Sequence, residues 1–266
     1  MLPVRRTIIQ SLRERLPEYI SKQNRTVTYG RECYEKDRSD WNFLASELWD
    51  LGQLLLANNE IEEAKKYFAE GTKLTFDDNK MREDISPMTG ADYETPLKAY
   101  LGDLTIGKLY SKTPRIMPEH LYDDTRTYKT WYYGLYGLII SNDDYVRTIC
   151  DMIAEKTRDF KLGSDGMPPS ITHKRLSLSY AIYSMRMLKA VIDNDSEMFS
   201  QNINFRSQLK MRVLTRADNP MALVDFGLIV LYDNALGRGL EPRVDTPFIP
   251  EKILENGYWY EPKWKV

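Results

Sequence analysis

Histidine and cysteine are nearly missing from this chain. Two of each occur in 266 residues: His120, His173, Cys33 and Cys150. Neither histidine stands at a metal-ligand spacing from a cysteine or from the other histidine. A Cys–His nucleophilic pair would need distant segments, and nothing in the sequence points to one. Two cysteines make no disulfide framework; both read as reduced, partly buried thiols. An excess of one charge is also lacking. Lys plus Arg number 37 and Asp plus Glu 39, for a formal charge of −2. The basic surplus that draws a protein to phosphate is absent, so no nucleic-acid partner is expected. The strongly apolar stretch from Trp131 to Ile140 falls short of the ~18 to 20 residues of a membrane span. Arg5 and Arg6 are not followed by the apolar run of a signal peptide. A cytoplasmic protein with no membrane partner is expected. No segment alternates with period two, so little or no sheet is expected.

What is present is helical periodicity. Thr7 to Lys22 reads as a helix with a break or kink at Pro17. Ser39 or Asp40 is placed to cap a second, running to Ala57, whose Phe43, Leu44, Leu48, Leu51, Leu54 and Leu55 recur at i, i+3, i+4 and i+7. A third passes through Ala64, Phe68 and Leu74, with Asn59 and Glu62 resembling a capping box. Further helices are expected over Leu97–Tyr110, Glu119–Ile140, Tyr145–Phe160, Thr172–Ile192, Glu197–Val213 and Met221–Gly237. Lys112 to Pro118 reads as a linker and possible seam, 241–250 with its three prolines as extended, and 257–266 as an aromatic tail. The whole is expected to be a single all-α domain, an irregular stack of antiparallel helical hairpins.

A weak repeat supports the hairpins. Asn58, Asn142 and Asn194 each follow an apolar pair and precede a capping residue. Asn tolerates the left-handed conformation at a helix C-cap, and Asn, Asp and Ser accept the free amides of the next helix. The intervals are unequal, which argues against a strict solenoid. The first hairpin is tetratricopeptide-like: Leu48, Leu51, Gly52, Leu55, Ala64 and Phe68 fall at that motif's signature spacings. Gly52 and Ala64 are small where two helices would cross closely, and Phe68 would fill the adjacent gap.

Chemistry is scarce. Gly102 to Leu109 matches a phosphate loop as far as Lys108, but Leu109 stands where Ser or Thr must hold magnesium. No cofactor or metal is expected, and no catalytic residue. Two surfaces are candidates for binding a partner. If the hairpins stack, their turns carry an acidic strip of Glu60, Glu62, Asp143, Asp144, Asp195 and Glu197, suited to a basic protein. Helix capping and solvated charge explain these carboxylates more simply. The second is the segment Thr127 to Gly137, whose Lys129, Tyr133 and Tyr136 lie on one helical stripe. A helix apolar on both sides is usually central, but Tyr is also favoured at interfaces.

The last third resembles a known family. Leu223 to Leu231, then Gly237-Arg238-Gly239, then Thr246-Pro247-Phe248-Ile249-Pro250 leading to Leu254 is similar to the ending of the immunity protein 49 family. These are immunity proteins of bacterial polymorphic-toxin systems. Met187 to Asp195 resembles that family's preceding helix and turn. The resemblance implies an all-α, non-enzymatic protein that binds and occludes a cognate toxin, and it carries over no defined site residues. The rival readings are a tetratricopeptide-like scaffold holding a peptide in a helical groove, and an enzyme with an unfamiliar site around His120 or His173.

Overall fold

A computed structural model describes residues 3–77, 94–105, 130–163, 165–170, 172–214 and 219–262, apart from the side chains of 3–7, 76–77 and 173. The described residues are all-α, with no strand among them. They fall into two compact units. The first gathers Met1–Tyr110, Arg216–Phe226 and Pro247–Ile253, and the second Ser111–Thr215, Gly227–Thr246 and Leu254–Val266. The proposed linker Lys112–Pro118 and residue Lys129 lie outside the described residues.

In the first unit α1 spans Pro3–Lys36, α2 Trp41–Ala57, α3 Ile61–Asp77 and α4 Thr95–Gly102. The chain order is also the packing order: α1 lies on α2, α2 on α3 and α3 on α4. α1 runs unbroken through the exposed Pro17 and some fourteen residues past the expected end. Its second half has few apolar residues and is held by tertiary bonds instead. Gln23 Nε2 reaches Glu47, Arg31 pairs with Glu70 at 2.7 Å, and Gly30 lets Leu44 approach. The crossing of α2 and α3 is set by small residues. A Cβ on Gly52 would stand 2.9 Å from the Phe68 ring, and one on Gly71 2.7 Å from Trp49 Nε1. Ala64 and Phe68 are fully buried beside them. The stretch expected to be one helix from Leu97 is interrupted at Asp103; residues 104–105 are helical again, and 106–110 lie outside the described residues. Gly102 abuts the Phe68 carbonyl, where a Cβ would lie 2.5 Å from the oxygen, and Asp103 then turns extended. Gly102 therefore closes a helix rather than opening a phosphate loop.

In the second unit α5 spans Trp131–Ile139, α6 Asp143–Thr157, α7 His173–Asp193 and α8 Ser196–Val213. Here too each helix packs on the next, and α5 also touches α7. The expected helix Met221–Gly237 is split. Its first part belongs to the first unit, where a 3-10 turn over Pro220–Leu223 gives way to extended Val224 and non-helical Asp225 before α9 (Phe226–Gly237) begins. The Asp225 amide is drawn off to the Phe248 carbonyl at 3.0 Å. Pro220–Gly237 is long and apolar enough to count as a membrane-span candidate by composition, but 78% of it is buried in the fold. A short α10 covers Glu251–Asn256.

The helix ends share one design that the sequence only half shows. Asn59, Ser141, Asn194 and Gly239 all have positive φ, between 56° and 88°. In each case the next amide reaches back five residues: Glu60 to Leu55, Asn142 to Gly137, Asp195 to Ala190 and Leu240 to Ala235, at 2.8–3.0 Å. This is the Schellman closure. It corrects two expectations. Asn59 is left-handed and so does not form a capping box with Glu62, which pairs with Lys65 instead. In the middle turn the left-handed residue is Ser141, while Asn142 caps α6 by accepting the Tyr145 amide at 3.1 Å. Asp40 stands at the N-cap of α2 as one of the two expected residues, though its side chain accepts no amide; Asp37 caps the 3-10 turn before it, accepting the Ser39 amide. That bond holds the Asp37 carboxyl below its ordinary range.

Candidate functional site

The turn acids divide by what they touch. In the second unit Asp143 receives both arms of Arg238, at 2.7 and 3.1 Å. Asp193 pairs with Arg147 at 3.2 Å. Asp195 caps α8, accepting the Met198 amide at 2.8 Å. Asp144 and Glu197 are exposed. In the first unit Glu60 accepts from the Asn58 amide and Glu62 from Lys65. Most of the acids that could form a strip are thus occupied by local partners. Such pairs, half exposed, contribute little to stability, and of the six acids only Glu62 and Asp143 meet a cation among the described residues.

Tyr133 and Tyr136 are buried, and their rings meet edge-on at 5.7 Å. Little of either side chain is left exposed. Trp131, which opens α5, is 2% exposed and lies between two close neighbours. A Cβ on Gly227 would stand 2.2 Å from its ring, and on another approach the Arg206 guanidinium carbon sits 4.0 Å from the ring centroid. Arg206 also donates to Ser184 Oγ at 2.5 Å. A buried guanidinium stacked on indole braces α5 against α8.

Three further ionisable groups are buried or partly buried inside the units. Asp233, fully buried on α9, takes three successive amides on Oδ1: Tyr258 at 3.0 Å, Trp259 at 2.8 Å and Tyr260 at 3.2 Å. Burial pushes the Cys150 thiol up to about 12, far from a nucleophile's range. Burial also raises the Asp50 carboxyl, against the pull of Lys98. No three His, Cys, Asp or Glu converge as metal ligands among the described residues. His120 and the side chain of His173 lie outside them.

One concave site emerges that sequence reading did not find. A cleft of about 500 Å³ opens between the loop after α6, α7 and α8. Ile182 forms part of its lining, with Phe160 and Phe205 as apolar walls. Lys161, Arg186 and Gln201 line it as well. Its loop is tied down: the Gly163 amide donates to Met167 O at 2.7 Å, Gly166 to Gly163 O at 2.9 Å, and the Tyr183 hydroxyl to Gly166 O. Burial raises that hydroxyl to about 12, so it stays a donor. Gly166 has φ of 74° and lies against the Phe205 ring, where a Cβ would come within 2.7 Å. In the sequence these glycines mark only a loop, and the three donors are scattered over 41 residues with no local pattern.

No family model, curated protein or solved structure matches the chain.

Proposed function

We propose that this is a non-enzymatic, cytoplasmic immunity protein that binds a cognate toxin and blocks it by occupying its surface. Two lines support the reading. The C-terminal third resembles the immunity protein 49 family. The observation that carries it furthest is the use of the buried polar groups: Asp233, Arg206 and Cys150 are enclosed and serve packing. Function then falls to the exterior, and a stable complex needs about 800 Å² from each partner.

Co-expression tests this. The genome beside its gene is searched for a toxin-like reading frame, the protein is produced with the product of any frame found, and growth and co-purification are scored. Protection with a titration endpoint near one to one supports occlusion. Loss of growth in the protein's presence, with no complex recovered, sinks the reading.

A tetratricopeptide-like scaffold is the second reading. The close approach of Gly52 to Phe68 between α2 and α3 favours it. It predicts capture of an extended peptide rather than of a folded domain.

A further inference from the structure

We infer that the cleft bounded by Phe160, Ile182 and Phe205 is the seat for a segment of the protein partner that carries a carboxylate beside an aromatic or aliphatic side chain. This rests on the toxin-binding reading and names the chemistry of the contact. Phe160, Ile182 and Phe205 place apolar side chains on the walls, while more of the exposed lining is polar than apolar. The polar rim is made of donors: Arg186, Lys161 and the amide of Gln201. These three are exposed and make no hydrogen bond or ion pair with other described residues. The carboxylate nearest by, Asp165, is turned into its own loop and accepts the Met167 amide at 3.0 Å. Arg186 and Arg212 both act on the Tyr183 hydroxyl beneath the loop, opposed there by Asp165. A guanidinium fork takes a carboxylate through two parallel hydrogen bonds. Arg238 and Arg147, by contrast, already have acids.

The site is also pre-shaped. The Tyr183 hydroxyl and the left-handed Gly166 fix the loop without using Arg186, Lys161 or Gln201. A docking side chain therefore meets walls already in place, which lowers the ordering cost of binding. The cleft is open to solvent, so a free small acid would keep much of its surface wet. A protruding protein segment brings further contacts around the mouth.

Two measurements decide this, both on the full chain. The first is an NMR titration with N-acetylphenylalanine and with its uncharged amide. The acid should shift the Gly163 and Gly166 resonances and bind at least about tenfold more tightly than the amide. Equal binding of the two, or shifts that map elsewhere, overturns the proposal. Micromolar binding of the free acid also overturns it, by making the cleft a small-molecule site. The second compares the unchanged protein with Arg186→Glu combined with Lys161→Glu, against the toxin candidate of the co-expression test. Both side chains are exposed and unbonded, so the fold persists, as a thermal melt verifies. Binding should weaken by about tenfold or more, mostly through slower association. If the unchanged protein binds and the variant binds equally, the cleft assignment fails and the immunity reading stands. If the unchanged protein binds no toxin, both fall.

Discussion

Two non-helical segments of the second unit are held to helices in opposite ways. The strap 241–246 lies along α8 and is held by a ladder of weak side chains. The amides of Glu241, Arg243 and Asp245 donate to Ser196 Oγ, Ser200 Oγ and Asn204 Oδ1 at 2.8–2.9 Å. Ser207 and Thr246 share a hydroxyl bond at 2.7 Å. The tail 258–260 is held by one carboxylate, Asp233, which gathers three amides. The strap works because two periods coincide. Two extended residues advance about 6.6 Å, and four helical residues about 6 Å. Alternate strap amides therefore meet every fourth residue of one α8 face. Pro242, which has no amide hydrogen, falls on an unused position. The tail instead bends into a nest around a single anion, helped by Gly257 at φ 73°. A Cβ there would lie 1.8 Å from the Tyr260 carbonyl oxygen. Distributed holding tolerates loss of a rung; concentrated holding does not.

The largest test of this contrast is Asp233→Ala. It leaves three amides without their acceptor in or near the interior. A buried group left unpaired costs about 1–3 kcal/mol, more where the lost partner is charged. A loss of about 3–5 kcal/mol in urea unfolding is expected, with exchange protection at 258–260 abolished. A loss under about 1 kcal/mol would show that the aromatic packing of the tail suffices alone. Asp233→Asn sharpens the point. It keeps an acceptor oxygen but removes the charge that strengthens each bond, so about 1–2 kcal/mol is expected. A cost equal to that of alanine would mean that charge, not the number of bonds, does the holding.

Parts of this were legible beforehand. The α2–α3 pair was, because Leu48, Leu51, Leu55 and Phe68 give a dense stripe and all are buried. Three prolines announced that 241–250 is not helical. The second half of α1 was not, because its buried face is thin and its hold comes from Glu47 and Glu70 on other helices. The break at Val224 was hidden in an apolar run that only Asp225 interrupts, since the competing acceptor, Phe248 O, lies 23 residues away in sequence. The cleft was invisible for the same reason: its donors converge only once α7 and α8 pack. Asp233 looked like one more polar residue on an apolar helix, and nothing local to it names its partners.

A middle-sized effect should come from Asn204→Ala. Asn204 serves the strap twice, accepting from Asp245 and donating to Arg243 O at 3.3 Å. Removing it should cost about 1 kcal/mol, visible as a lowered urea midpoint with unchanged slope. A cost matching Asp233→Ala would erase the distinction between the two segments.

The smallest effect is expected at Ser200→Ala. The Ser200 hydroxyl accepts the Arg243 amide and donates to the Ser196 carbonyl one turn back. Alanine loses the first bond, but it is the better helix former by several tenths of a kcal/mol, and the backward serine bond slightly weakens a helix. The two terms oppose, so the net cost should be about 0.5 kcal/mol or less. Global stability is therefore the wrong gauge. Hydrogen exchange at Arg243 is the right one, since that amide alone loses its acceptor while Glu241 and Asp245 keep theirs. Faster exchange confined to Arg243 is what a ladder of independent rungs demands. Release of all three amides together would mean that the strap detaches as a unit, and its hold would then be as concentrated as that of the tail.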